Sequence, residues 1–307
     1  MFITASWARA FSPEKASFSI ECKGDVWPYR VGSLFVLPGE RVVFRVVGGR
    51  ENARFQADAR AGEFLERGDR VWAWRAPQKT GLYTLRMSRV WPVDEVLLNV
   101  FVMMPYRELK GEYLNGYRIG RYPSIPLRNL PIYAPPRGFI EVTRQNETAR
   151  LSPHFTLTQL VCRQPGTYPK YVVIREKLIL KLERILGQLN NRGYAYDTFA
   201  VMSGYRTPHY NRQIGNGQYS RHLWGGAADI FVDERPRDGQ MDDLNKDGVE
   251  NYKDAVVMYE MIDALFKGTA RQSFFGGLSW YKKNRHHGPF VHVDVRGKKV
   301  RWKTDGK

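Results

Sequence analysis

The sequence predicts two domains: an all-β domain at the N-terminus and an α+β domain with a small antiparallel sheet at the C-terminus. The 307 residues exceed what one hydrophobic core usually serves. Residues 1–104 contain short β-branched and aromatic runs, whereas residues 151–307 combine a helical apolar pattern with isolated apolar strands. Residues 105–150 between them hold six of the 17 prolines, which predicts an ordered, extended connector without long helices or central strands.

The N-terminal strands are predicted from runs of β-branched and aromatic residues at 41–47, 71–74, 82–87 and 96–102. Turn residues separate these runs, and several short strands at this spacing are typical of a small sandwich. The phrase Ala76-Pro77 followed by Gly81-Leu82-Tyr83 resembles bacterial immunoglobulin-like domains. That resemblance implies an immunoglobulin-like sandwich. Its role is either binding or spacing, or structural support of the second domain.

The second domain is predicted to begin near Leu151. Thr156 and Gln159 have capping-box spacing and indicate a helix start, and residues 170–189 carry an apolar stripe at helical spacing. Buried strands are predicted at 198–202, 229–232 and 291–295. Tyrosines within the connector predict that it packs along a domain face.

The net charge of +17 is shared evenly by the two halves of the chain. Nucleic-acid-binding arms concentrate their charge, so this distribution argues against nucleic acid and fits attraction to polyanions such as cell-wall polymers and anionic membranes. No run of about 18 apolar residues predicts a membrane span. Residues 1–10 lack a basic start and an apolar core, so no export signal is evident in this chain. The sequence leaves the oligomeric state unknown.

Two histidines and one aspartate form the most informative pattern in the chain. His222 and Asp229 are separated by a Gly-Gly pair that permits a tight reversal, and His292 lies in a predicted strand. Two imidazoles and a carboxylate suit Zn²⁺, and a three-ligand site leaves one coordination position for water. The sequence therefore predicts an open zinc site.

Three motifs carry a resemblance to a known family: Ser203-Gly-Tyr-Arg206, Ser220-x-His222-x-x-Gly225-x-Ala227-x-Asp229 and His292-Val-Asp294-Val-Arg-Gly297. They resemble the zinc D-alanyl-D-alanine peptidases, the family of peptidase M15, and most of all its carboxypeptidase branch. The resemblance covers about residues 151–307.

The resemblance implies that His222, Asp229 and His292 bind the zinc. It further implies that Arg206 binds a substrate carboxylate or carbonyl and that Ser220 hydrogen-bonds the substrate backbone. The implied activity is hydrolysis of peptidoglycan stem peptides or cross-links by a D,D-carboxypeptidase or endopeptidase in the cell envelope or periplasm. A zinc-bearing wall-binding module without catalysis is the alternative.

The general base is the open point of this resemblance. Several family members carry a carboxylate three residues before the last histidine ligand, where this chain has Pro289. Others carry a histidine two residues before it, where this chain has Phe290. Asp294 and His287 are the candidates, with His286 a weaker one. Asp294 has a second possible role, which is to orient a ligand imidazole.

A second ion site is predicted between Asp229 and His292. Oxygen-bearing side chains occupy the calcium-loop positions, with Gly248 at the sixth: Asp243, Asn245, Asp247, Asn251 and Asp254. The alternative is an acidic turn in which Asp254 is the N-cap of a helix over 255–266.

Overall fold

The computed structural model describes residues 11–302, and the first third of this range consists of β-strands. In order, these strands are β1 (Lys15–Cys22), β2 (Asp25–Tyr29), β3 (Val31–Val36), β4 (Arg41–Val47), β5 (Phe55–Ala59), β6 (Glu63–Arg67), β7 (Val71–Arg75), β8 (Gly81–Arg89) and β9 (Asp94–Val102). All four strands predicted from sequence are confirmed within β4, β7, β8 and β9.

These strands form two sheets with a common core. One sheet has the order β2-β1-β4-β7-β6 and the other has the order β3-β9-β8-β5. In β4, burial alternates strictly, so that Val42, Phe44 and Val46 point inward beneath exposed neighbours. They pack in one cluster with residues of the second sheet, including Leu85 and Val100. The immunoglobulin-like character of this region stays a prediction.

The remaining strands and α-helices are short. In order, they are β10 (Met104–Pro105), β11 (Tyr113–Leu114), β12 (Tyr117–Arg118), β13 (Gly138–Val142), α1 (Leu157–Leu160), β14 (Lys170–Val172), α2 (Glu176–Asn190), β15 (Ala200–Ser203), α3 (Pro208–Gln213), β16 (Ala227–Phe231), α4 (Tyr252–Leu265), β17 (Gly277–Tyr281), β18 (Phe290–Asp294) and β19 (Val300–Arg301). 3₁₀ helices cover Tyr106–Glu108, Leu127–Asn129, Pro131–Tyr133, Arg221–Trp224 and Thr269–Phe274.

The structure corrects two predicted elements. The helix predicted over 170–189 begins only at Glu176, because Lys170–Val172 forms β14 and pairs antiparallel with β13. The β-branched run that follows Tyr171 favours a strand there. The prolines of the connector were expected to exclude central strands, yet β13 is the middle strand of the sheet β10-β13-β14, because it begins after the last proline pair.

Other expectations for this half are confirmed. Thr156 and Gln159 form the capping box that begins α1. Among the connector tyrosines, Tyr117, Tyr122 and Tyr133 are buried against the core. None of the helices in residues 11–302 has the length and apolar character needed to cross a bilayer.

One hydrophobic core joins the two halves of the chain. Trp27, Phe35 and Phe101 of the N-terminal strands belong to the same buried cluster as the apolar face of α2. The backbone N–H of Phe35 also donates to the carboxylate of Glu176, at the start of α2 (3.2 Å). The β-rich half is therefore packed against the second half through ordered contacts.

Two of the three candidate zinc ligands, Asp229 and His292, lie on a five-stranded sheet with the order β15-β16-β18-β17-β19. In the antiparallel register, Asp229 of β16 pairs with Ser203 of β15 and with His292 of β18, and His292 pairs with Ser279 of β17. Directly opposed residues share one face of a sheet. The register thus places Asp229 and His292 side by side on one face.

Candidate metal centre and cleft

His222, Asp229 and His292 converge in the structure, and all three are buried. One ligand atom from each lies within 4.8 Å of the other two, and no other group of three or more metal-binding side chains meets this criterion in residues 11–302. The Nδ1 atom of His292 lies 2.8 Å from Asp229 Oδ1, and His222 Nε2 lies 3.3 Å from that same oxygen. The donors are two nitrogens and one oxygen, and this set fits Zn²⁺.

A tight turn brings His222 to the sheet. His222 lies on the 3₁₀ helix Arg221–Trp224, which ends at Gly225 in the left-handed region (φ 60°). A Cβ atom at Gly225 would lie 2.1 Å from the carbonyl oxygen of Val173, so glycine is required there. The Nδ1–H of His222 donates to the carbonyl of Gly204 (2.6 Å), and this hydrogen bond leaves Nε2 to face Asp229.

The pKa shifts of Asp229 and His222 suit metal binding, whereas at His292 the contacts with Asp229 and Asp294 outweigh burial and raise the pKa. Burial raises the pKa of Asp229, but the neighbouring His222 and His292 outweigh it and hold that pKa well below its ordinary value. Burial lowers the pKa of His222 and favours its neutral form. A carboxylate and a neutral imidazole are the forms in which these side chains bind zinc.

Arg206 holds the second oxygen of the Asp229 carboxylate. Its terminal nitrogen pairs with Asp229 Oδ2, and its Nε–H donates to Ser203 Oγ (2.7 Å). The side chain of Arg206 is only 12% exposed. Arg206 therefore neutralises and orients the predicted ligand Asp229, while its role toward substrate stays a prediction.

Asp294 lies behind His292, on the side away from Asp229. Its Oδ2 is 3.4 Å from His292 Nε2, and its Oδ1 accepts hydrogen bonds from the backbone N–H groups of Gly277 (2.8 Å) and Arg296 (3.0 Å). The guanidinium of Arg296 also donates to both oxygens. Burial raises the pKa of Asp294, but His292 and Arg296 outweigh it and lower that pKa far below its ordinary value. This environment suits an orienting role, because a carboxylate so strongly bonded is a poor proton acceptor.

The candidate metal ligands line an open cleft of about 1200 Å³. Arg206, Ser220, His286 and His287 also line the cleft, whereas Asp294 does not. His287 Nε2 lies 2.9 Å from Asn284 Nδ2, and its ring meets Phe290 edge to face (4.9 Å). The cleft thus brings together all the predicted peptidase-site residues except Asp294.

Sequence reasoning missed two aromatic residues of this cleft. The ring of Tyr281 stacks on Phe290 with centroids 4.4 Å apart. The indole N–H of Trp302 donates to the Tyr281 hydroxyl (2.9 Å), and its ring lies 5.2 Å from the ring of His292. Strand alternation could have indicated Tyr281, since it shares a face with Ser279, the residue paired with His292.

In the predicted calcium loop, the carboxylates of two aspartates accept hydrogen bonds from backbone N–H groups. Asp243 accepts from the N–H groups of residues 246–248, and the buried Asp254 accepts from those of residues 244, 245 and 251. The helix α4 begins three residues earlier than expected: Asn251 is its N-cap, and Asp254 completes the capping box. The proposed N-cap role of Asp254 is therefore wrong, and calcium binding stays a prediction.

A metallopeptidase class is supported because residues 153–252 match the family model of Peptidase M15. The match confirms the family resemblance. The matched range contains His222 and Asp229 and ends before His292.

No curated protein matches the chain. Two solved structures are a DUF4784 family protein from Bacteroides caccae ATCC 43185 (13% identity, TM-score 0.17) and the titin M3 domain (12% identity, TM-score 0.18). They align with 27% and 28% of this chain, and with 23% and 97% of their own. The chain thus spans less than a quarter of the first structure, and neither likeness supports an argument about function.

The calcium prediction is tested by thermal unfolding. If the loop binds Ca²⁺, millimolar calcium raises the melting temperature by several degrees, because an ion that binds only the folded state stabilises it. Asp243→Ala should remove this increase, whereas Asp197→Ala, an exposed aspartate outside the loop, should retain it. A melting temperature that does not respond to calcium contradicts the prediction.

Proposed function

We propose that this protein is a zinc metallopeptidase that hydrolyses peptide bonds in peptidoglycan stem peptides or their cross-links, as a D,D-carboxypeptidase or endopeptidase. The main support is the convergence of His222, Asp229 and His292 at an open cleft, in a region that matches Peptidase M15. The proposed substrate implies a location in the cell envelope or periplasm.

The cleft offers groups suited to a peptide that carries carboxylates. Zinc bound there would supply a Lewis acid that polarises the scissile carbonyl and acidifies water. Arg206 has a planar guanidinium at the cleft wall, suited to a substrate carboxylate or carbonyl. Ser220 lines the cleft beside it and offers a hydroxyl to the substrate backbone. These two residues would fix the register of the peptide relative to the metal ligands.

We assign the proton-transfer role to His287 rather than Asp294. His287 lines the cleft, where a substrate can reach it, and an imidazole can both accept and donate a proton. Its Nδ1–H donates to the carbonyl of Gly288 (2.8 Å) and its Nε2 accepts from Asn284 (2.9 Å). Nε2 would exchange the Asn284 hydrogen bond for the proton of the attacking water and then pass that proton to the leaving amine. Asp294 is buried and saturated with hydrogen bonds, so it would orient His292 instead.

We assign Tyr281 as the donor to the scissile carbonyl oxygen. Its hydroxyl oxygen accepts the indole N–H of Trp302, which leaves the phenolic proton for another acceptor. Burial raises the pKa of Tyr281, so the hydroxyl stays protonated. A fixed donor placed beside the metal ligands would stabilise the negative charge that develops on this oxygen during hydrolysis.

The peptidase proposal is tested on purified murein sacculi. Zinc-loaded protein should release soluble fragments, and their masses identify the bond that is cut. His222→Ala should lower the rate at least 10³-fold, because two protein ligands hold zinc poorly. His209→Ala, a histidine outside the metal cleft, is the matched control and should cleave like the wild type. Intact sacculi with zinc-loaded wild type would contradict the proposal and favour the non-catalytic wall-binding module.

The role of Tyr281 is tested by Tyr281→Phe on a defined muropeptide. The variant should lose about 10²-fold in kcat with KM nearly unchanged, since the lost hydrogen bond forms mainly in the transition state. Tyr219→Phe is the matched control, because Tyr219 lines the same cleft while its hydroxyl bonds the carbonyl of Ile125 (3.1 Å). Zinc content should be equal in all three proteins. Equal kcat in Tyr281→Phe and wild type would contradict the assignment.

A further inference from the structure

The turn between β8 and β9 presents an apolar surface to solvent. Trp91 is 79% exposed and Val93 is 77% exposed, the two highest values among the large hydrophobic side chains of residues 11–302. Val90 in the same turn is 43% exposed. Single exposed hydrophobic residues are common on proteins, but neighbouring ones mark an interaction site. Residues 90–93 are called the apolar turn below.

Buried polar groups hold the apolar turn in place. The guanidinium of Arg89 is largely buried, and its Nε–H donates to the carbonyl of Pro92 (2.7 Å). Asp94 is buried at the other end of the turn and accepts the backbone N–H of Ser17 (2.7 Å). The backbone N–H of Val90 donates to the carbonyl of Arg54 (2.9 Å). Trp91 and Val93 are thus exposed on an anchored backbone.

The chain segment that bonds the apolar turn through the carbonyl of Arg54 carries exposed cationic side chains. Arg54 and the nearby Arg50 are exposed, and neither forms an ion pair with a carboxylate in the described part of the chain. Arg70 donates to the carbonyls of Gly48 and Arg50 and likewise has no carboxylate partner there. These arginines retain their charge for an external anionic partner.

The apolar turn and Phe101, which belongs to the core that joins the two halves of the chain, lie at opposite ends of β9. At about 3.3 Å per residue, seven residues of strand separate Asp94 from Phe101 by roughly 23 Å. The exposed side chains of the turn can therefore contact a surface without displacing Phe101.

We propose that the apolar turn inserts into the interfacial region of a lipid bilayer with anionic head groups. Indole rings favour the boundary between water and hydrocarbon, and the transfer of the exposed valine side chains out of water lowers the free energy. Arginines beside an inserted apolar tip pair with lipid phosphates. Valine side chains offer no hydrogen bonds to sugar hydroxyls, which favours lipid over a glycan strand as the partner. Because this binding needs no catalysis, the proposal stands apart from the peptidase proposal.

Sedimentation of the full chain with vesicles tests the proposal. The wild type should bind vesicles that contain 30% phosphatidylglycerol at least tenfold more strongly than pure phosphatidylcholine vesicles. A double variant, Trp91→Ser with Val93→Ser, should bind the anionic vesicles at least tenfold more weakly. Arg50→Gln with Arg54→Gln should weaken binding to the anionic vesicles only. Ile125→Ser is the matched control, because Ile125 is 68% exposed outside the turn, and it should bind like the wild type.

Three results would overturn the proposal. The first is wild-type protein that does not sediment with anionic vesicles. The second is equal binding by the wild type and the double variant, which would indicate association by charge alone. The third is binding to murein sacculi that depends on Trp91 while vesicle binding does not, which would assign the turn to a wall polymer. Because the substituted side chains are exposed, an unchanged melting temperature confirms that each variant is folded.

Discussion

The buried carboxylate of Asp229 is the charge on which the C-terminal half depends. An ionised carboxylate without partners in a protein interior costs several kcal/mol, so its neighbours must neutralise it. Arg206 takes one oxygen, and the imidazoles of His222 and His292 face the other. These partners come from three separate segments that meet at Asp229. The same arrangement that neutralises the carboxylate also assembles a ligand set for zinc.

Two backbone constraints make this convergence possible. The antiparallel register of β16 and β18 pairs Asp229 with His292, and a shift by one residue would move His292 to the opposite face. Gly225 permits the close approach to Val173 that turns His222 toward the sheet. Behind His292, the carboxylate of Asp294 lies 3.4 Å from Nε2 and is itself held by Arg296. The strand register and the glycine turn therefore bring the three side chains to one place.

The motifs predicted the candidate zinc ligands because each motif is a short run of recognisable residues, but the roles of the residues around them depend on contacts made only in the fold. Asp294 and His287 were indistinguishable from sequence, since Arg296 encloses the first and the cleft exposes the second only after folding. Tyr281 lacks a motif and enters the cleft through strand pairing. A strand in which apolar and polar residues alternate strictly, such as β4, was predictable from sequence. In contrast, β14 was assigned to a helix because it directly precedes the apolar pattern of α2.

The central claim is that His222, Asp229 and His292 together hold one zinc ion. It is tested most directly by measuring the zinc content of purified protein after dialysis, by inductively coupled plasma mass spectrometry. We expect one zinc per chain in the wild type and less than a tenth of that in Asp229→Ala, with both proteins folded by circular dichroism. Equal zinc in the two proteins, or none in the wild type after zinc loading, would contradict it.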